Sequence, residues 1–113
     1  MFPSVERFLL ELSSLHDEVF PGSRLETIYS RLNKVSLRWS MSPALFVNIY
    51  FNAENGRFDF TLIHNDKRAF GYDNLKKWHR HPRENPEAHI ECDLPSLRQI
   101  VQETASVVAS IPH

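Results

Sequence analysis

The sequence predicts a single α+β domain, in which an antiparallel β-meander of four or five strands packs against N- and C-terminal helices. Three observations lead to this prediction. Apolar residues recur every three or four positions near both ends of the chain, they alternate with polar residues in the middle, and short turns join the alternating segments. Short connections require antiparallel neighbours, and a sheet with one apolar face needs a cover that the helices can provide.

Length and composition are those of one globular domain spanning residues 1–113. Of the 113 residues, 42% are hydrophobic and 12% are aromatic, which suffices for an apolar core without disulfides or metals. There are 13 Lys and Arg against 14 Asp and Glu, so the net charge predicts no bulk attraction to nucleic acid or membrane. The lone cysteine, Cys92, excludes an internal disulfide.

We expect a cytoplasmic protein without a membrane segment. The N-terminal segment has an early acid, Glu6, and only a short apolar run, unlike a signal peptide. No run approaches the roughly 20 apolar residues that cross a bilayer. A single cysteine is typical of proteins that reside in a reducing compartment.

The first predicted element is a helix over residues 4–13, with Ser4 as its N-cap and an end near Ser13–Ser14. Residues 24–33 are ambiguous. Their apolar spacing suits a helix, whereas their Thr, Ile and Tyr content suits a strand. We favour a helix here.

Four strands are predicted between residues 34 and 72, because apolar and polar residues alternate there. Their approximate ranges are 35–40, 45–51, 58–63 and 68–72. The loop at Asn52–Gly56 predicts a hairpin, with Gly56 free to adopt a positive φ.

The C-terminal third is predicted to contain a loop, a short strand and a helix. Residues 73–87 lack periodicity and include two prolines, residues 88–92 fit a short edge strand, and a helix over residues 95–110 begins at or near Pro95. Nine apolar residues are expected to be mostly buried in the core: Phe8, Leu9, Val47, Ile49, Phe60, Leu62, Leu97, Ile100 and Val101.

The residues that could carry chemistry concentrate between Tyr72 and Glu91. This segment follows a strand, where rigid scaffolds often place functional side chains. Between Lys67 and Arg83 there are six basic residues and a single acid, Asp73. Three of the six histidines also lie in the segment: His79, His81 and His89. Neither His81 nor His89 is expected in the apolar core.

A metal site is one interpretation of these histidines. His79 and His81 would point to one side of an extended backbone, His89 on a neighbouring edge strand could add a third nitrogen, and Asp73 could add an oxygen. The cations at Lys76, Lys77, Arg80 and Arg83 oppose a bound metal ion. We therefore predict no metal and no cofactor.

Metal-free acid and base chemistry on a phosphodiester is the second interpretation. RNA cleavage needs a base, an acid and cations that stabilise the phosphorane. His79, His81 or His89 could exchange the protons, with Asp73 as a further catalytic candidate. The candidate nucleic-acid contacts would act as an electrostatic clamp or as stacking surfaces. They are Arg68, Tyr72, Asn74, Lys76, Lys77, Trp78, Arg80 and Arg83.

Purely structural roles are the third interpretation. Tyr72 could end a strand with a buried ring, Asp73 and Asn74 could stabilise a turn, and Trp78 could pack over the sheet edge. The basic run would then be a solvated loop. Cys92 lies between Glu91 and Asp93, which oppose thiolate formation, so we expect an inert thiol.

The region from Leu45 to His89 resembles the TumE-like toxins of prokaryotic toxin–antitoxin pairs. The resemblance consists of hairpin strands followed by an aromatic-Asp-Asn motif and by a loop with histidine and proline. A second histidine, several residues after the first, ends this loop. Its matching residues are the strand Arg57 to Ile63, Phe70, Tyr72, Asp73, Asn74, His81, Pro82, Pro86 and His89. The chain departs from the family at Leu75-Lys76-Lys77-Trp78, where small residues and paired histidines are usual.

The resemblance implies a small α+β toxin with an antitoxin protein as its partner. Together with the histidines, it leads us to expect a toxin-like protein that is a metal-independent ribonuclease acting on RNA. The alternative is a non-catalytic binding module, whose basic loop at residues 67–83 would hold nucleic acid or a partner protein.

Overall fold

A seven-stranded antiparallel sheet is the centre of the fold. The computed structural model describes residues 2–112, and each strand lies beside its neighbours in the sequence, in the order β1 to β7. The strands are β1 Arg24–Ser30, β2 Lys34–Ser42, β3 Leu45–Asn52, β4 Phe58–His64, β5 Lys67–Asp73, β6 His79–His81 and β7 Ile90–Glu91. The predicted antiparallel meander is confirmed, with seven strands rather than four or five.

Two helices, α1 at Val5–Val19 and α2 at Leu97–Ala109, pack on each other and on one face of the sheet. Each begins after a serine N-cap whose hydroxyl accepts a backbone N–H: Ser4 from Arg7 at 3.2 Å, and Ser96 from Gln99 at 3.0 Å. No helix in residues 2–112 is long and apolar enough to cross a bilayer.

The predicted helix over residues 24–33 is wrong. Residues 24–30 form β1, which pairs with β2 over nearly its whole length, with a register shift between Thr27 and Tyr29. Apolar spacing in so short a segment fits either conformation. The free hydrogen-bonding edge of β2 decides in favour of the strand, since it satisfies the backbone groups of β1.

Other element boundaries also differ from the predictions. Helix α1 continues past Ser13–Ser14 to Val19, because Leu15 extends its buried stripe while both serines lie on the exposed side. Pro95 precedes the N-cap of α2 instead of opening the helix. The segment 73–87, predicted to be a loop, contains β6.

The apolar core lies between the helices and the sheet. Eight of the nine predicted core residues are buried, and Leu9 is half-buried against the same cluster. Aromatic rings form much of this core: Phe8 of α1 stacks on Phe51 of β3 at 4.8 Å between ring centroids. The Trp39 indole N–H donates to Ser23 Oγ at 2.6 Å, so its one polar group is satisfied.

Strand alternation gives the sheet a helix face and an open face. Tyr72 of β5 is directly opposite Arg80 of β6, and both turn toward α2. The pairs on either side, Gly71 with His81 and Asp73 with His79, therefore lie on the open face. The short strand β6 is what brings these histidines onto the same surface as Asp73.

Candidate functional site

A hydrogen-bonded pair of Asp73 and His81 forms the base of the candidate site. His81 Nε2 lies 2.7 Å from Asp73 Oδ2. The two side chains come from β5 and β6, and they are 14% and 2% exposed, respectively. His81 is not part of the apolar core, as expected, but it is buried, and its ring nitrogens contact polar partners.

The second ring nitrogen of His81 lies between a donor and an acceptor. Arg68 Nη1 is 3.1 Å from Nδ1, and the Pro86 carbonyl oxygen is 3.2 Å from the same atom. Arg68 can donate only to an unprotonated Nδ1, whereas Pro86 can accept only from a protonated one. The site thus provides Nδ1 with a partner whether or not that nitrogen carries a proton.

The connection between β6 and β7, residues 82–89, folds over His81. Two turns shape it, with the Asn85 N–H donating to Pro82 O at 3.2 Å and the Ala88 N–H donating to Asn85 O at 3.0 Å. This path places the His89 ring edge-on to His81, 4.5 Å between centroids. His89 is exposed to solvent.

His79 and His89 form the outer part of the site. Their ring centroids are 6.0 Å apart. His79 is half-buried and His89 is exposed, so both imidazoles can reach solvent, unlike His81. The structure therefore brings all four predicted catalytic residues together, but it separates them into a buried pair and an outer pair.

Asp73 is held as a carboxylate. Burial alone would raise its pKa, but the hydrogen bond from His81, the Leu75 backbone N–H at 3.1 Å and the nearby Arg57 together lower the pKa below its usual value. Near neutral pH Asp73 is thus an ionised acceptor, suited to orient an imidazole or to bind a cation.

Tyr72 and Arg80 lie on the helix face, away from the histidines. The Tyr72 hydroxyl donates to Glu103 Oε2 at 2.8 Å, and Arg80 Nε donates to the same oxygen at 3.3 Å. Tyr72 is 1% exposed, so no ring surface is left for a nucleotide. Their predicted contacts with nucleic acid are not supported; instead these side chains join α2 to the sheet. Nothing in the local sequence points to Glu103.

Trp78 and Asn74 have structural contacts of the kind that the third interpretation describes. Trp78 is half-buried, with its ring 5.4 Å from that of Phe58. Asn74 binds the β3–β4 hairpin, since its Oδ1 accepts from the Phe58 N–H at 2.7 Å and its Nδ2 donates to Gly56 O at 2.7 Å. Neither side chain contributes to the histidine cluster.

The predicted basic contacts divide into three groups. Arg68 belongs to the site through His81. Lys77 Nζ lies 3.5 Å from Glu91 Oε1. Lys76, at a positive φ of 68°, and Arg83 are exposed. The basic loop is therefore less cationic near the histidines than its composition indicates.

The donor atoms of the site also suit a metal ion. Asp73, His81 and His89 each offer one ligand atom, and these three atoms lie within 4.8 Å of one another. All three residues belong to the metal site considered from the sequence, but His79, the fourth predicted ligand, is not among the converging donors. The Pro86 carbonyl, which meets His81, was missed, because a backbone acceptor leaves no signal in residue type.

No protein-family model, curated protein or solved structure matches this chain. The function must therefore be argued from the site itself.

Proposed function

We propose that this protein is a toxin-like ribonuclease of a toxin–antitoxin pair, and that it cleaves RNA by metal-free acid–base chemistry. The observation that supports the chemistry is the pair of solvent-accessible imidazoles, His79 and His89, above the buried Asp73–His81 pair. The toxin role and the antitoxin partner rest on the resemblance of residues 45–89 to TumE-like toxins.

The outer imidazoles are suited to the two proton transfers of RNA cleavage. One imidazole takes the proton of the 2′-hydroxyl as its oxygen attacks the adjacent phosphorus, and the other gives a proton to the departing 5′-oxygen. Imidazoles serve both roles because their ordinary pKa lies near neutrality. The 6.0 Å between the two ring centroids leaves room for a phosphate group to contact both.

The buried pair positions the outer one. Asp73 fixes the orientation of His81, whose ring supports His89 at 4.5 Å between centroids. Arg68, 3.1 Å from His81, is the cation best placed to stabilise charge on a phosphorane. His81 itself is too buried to meet substrate, so we assign it a positioning role.

A binding module is the alternative. The exposed side chains of Lys67, Lys76 and Arg83 support it, since they could attract a phosphate backbone without any chemistry. In that case the lysines would matter more than the histidines.

Cleavage of RNA by purified protein in EDTA tests the proposal. Wild type should yield 2′,3′-cyclic phosphate ends, and His79→Ala and His89→Ala should each lower the rate by roughly 10²–10⁴-fold. His64→Ala, which alters a histidine at the end of β4, is the matched control and should cleave normally.

Inducible expression of the same variants in a host lacking the partner tests the toxin role. Wild type and His64→Ala should arrest growth, whereas His89→Ala should not. A Lys76→Ala, Lys77→Ala double variant should weaken RNA binding and its salt dependence but leave the chemical step unchanged. If the lysine variant loses all effect while the histidine variants keep it, the protein is a binding module. Absence of both cleavage and growth arrest would refute the ribonuclease proposal.

A further inference from the structure

We propose that Asp73, His81 and His89 form a binding site for a divalent transition-metal ion of the zinc class. One carboxylate and two imidazoles converge there, with one donor atom of each within 4.8 Å of the other two. Binding of metal at this site does not depend on whether the protein cleaves RNA.

Small movements would bring the three donors to the spacing that such an ion requires. Ligand bonds of about 2.0–2.1 Å in a tetrahedral site place donor atoms about 3.3 Å apart. Asp73 Oδ2 and His81 Nε2 are 2.7 Å apart, and they must separate slightly when the ion replaces their shared proton. His89 is exposed, and it can close on the ion without disturbing the core.

A second observation concerns the other nitrogen of His81. A histidine that binds a metal through Nε2 must carry its proton on Nδ1, and such histidines donate that N–H to a carbonyl or carboxylate. The Pro86 carbonyl oxygen lies 3.2 Å from Nδ1. This acceptor can take the Nδ1 proton once a metal ion replaces the proton on Nε2.

The cations that oppose a metal ion in the sequence are partly neutralised in the structure. Arg80 turns to the helix face and pairs with Glu103, Nε to Oε2 at 3.3 Å, and Lys77 pairs with Glu91. Arg68 remains close to His81, and it must give up its hydrogen bond to Nδ1 when the metal binds.

Three protein ligands leave one position of a tetrahedral ion open to solvent. Metal binding also removes the lone pair that His89 would use for proton transfer. Zinc should therefore inhibit the metal-free cleavage proposed above, and EDTA should restore it.

Titration of the protein, purified without a histidine tag, with Co²⁺ tests the site. Co²⁺ in a protein site of low coordination number gives a visible absorption band. We expect a band that saturates at one equivalent and is displaced by Zn²⁺. Asp73→Asn and His89→Ala should each weaken binding at least about tenfold, while His64→Ala should bind like wild type. His81→Ala is not used, since removal of this buried ring perturbs the fold.

Circular dichroism of each variant separates loss of ligand from loss of fold. No saturable band in the folded wild type would overturn the proposal. A band of unchanged affinity in Asp73→Asn and His89→Ala would also overturn it. The same holds if His64→Ala weakens the band as much as those two variants do. If Co²⁺ binds but RNA is not cleaved, the metal-site proposal stands and the ribonuclease proposal fails. If RNA is cleaved in EDTA but no Co²⁺ band appears, the ribonuclease proposal stands and the metal-site proposal fails.

Discussion

At the scale of single residues, the polar groups of the segment from Tyr72 to Glu91 serve two different surfaces. His81 and Asp73 form a buried pair on the open face, whereas Tyr72 and Arg80 bind Glu103 on the helix face. Neighbours in the sequence thus have unrelated roles. The strand period of two residues separates them, because successive side chains of a strand point to opposite faces.

Replacing His81 by alanine should destabilise the protein, because it leaves Asp73 partly buried without its main partner. We expect a loss of about 1–3 kcal/mol in the free energy of unfolding. His89→Ala, at an exposed position, should change it by less than about 0.5 kcal/mol. Urea unfolding of both variants measures the difference. Equal midpoints would show that the Asp73–His81 pair contributes nothing to stability.

Tyr72 should make stability depend on alkaline pH. Burial and the hydrogen bond to Glu103 raise its pKa from 10.0 to about 12. Since the folded-state pKa is raised, the contribution to stability is complete below pH 10 and is lost as the pH rises toward 12. The urea midpoint of wild type should therefore fall between pH 10 and about 12 more steeply than that of Tyr72→Phe. Parallel curves for the two proteins would contradict this.

At the scale of elements, the site depends on two short features, strand β6 and the connection at residues 82–89. Strand β6 has only three residues, and it pairs with β5 through Gly71, Tyr72 and Asp73. The connection then returns His89 to His81. The geometry of the site therefore depends on β5 being correctly paired on both sides.

Gly71→Ala should disturb this arrangement. A Cβ at position 71 would lie 2.8 Å from the Phe60 carbonyl oxygen, a backbone atom that can move only with β4. We expect a lower unfolding midpoint and changed NMR chemical shifts at His81, whose position is directly opposite Gly71. Gly56→Ala is not a suitable control because of its positive φ of 76°, so Ala69→Gly, in the same strand, is used instead. Unchanged His81 shifts in Gly71→Ala would refute the close packing of β4 and β5.

Ile49→Ala tests the assignment of the helix face. Ile49 lies in the middle of β3 and is 1% exposed. Its truncation should cost about 2–5 kcal/mol, through lost transfer free energy and the cavity left behind. Asn48→Ala, at the adjacent exposed position, serves as the control. A negligible shift of the urea midpoint in Ile49→Ala would mean that the face assignment is incorrect.

At the scale of the whole molecule, stability should decrease from the centre of the sheet toward its β7 edge. Strands β3 and β4 have partners on both sides and carry core residues on the helix face, whereas β7 has two exposed residues and one neighbour. Amide hydrogen exchange should therefore be slowest in β3 and β4 and fast in residues 82–91. Added Zn²⁺ should slow exchange around its proposed ligands, most of all in residues 82–91, which contain His89. Uniform protection across the sheet would contradict this gradient.

The pattern of residues along the chain was enough to predict the fold class, most of the core and the residues of the candidate site. Alternation in residues 34–72 predicts four of the strands, and helical periodicity predicts α1 and α2, because each pattern follows from the local geometry of the backbone. The histidines and Asp73 were identifiable because few residue types carry this chemistry.

Which of those residues meet depends on contacts between separate elements of the fold. Pairing with β2 made residues 24–30 a strand, and pairing with β5 made residues 79–81 another, although neither segment has a decisive local pattern. The latter pairing set the register that turns His81 toward Asp73 and Arg80 toward Glu103. Contacts between strands, and between a strand and a helix, join residues that are separated in the chain. Local periodicity and composition therefore do not predict them.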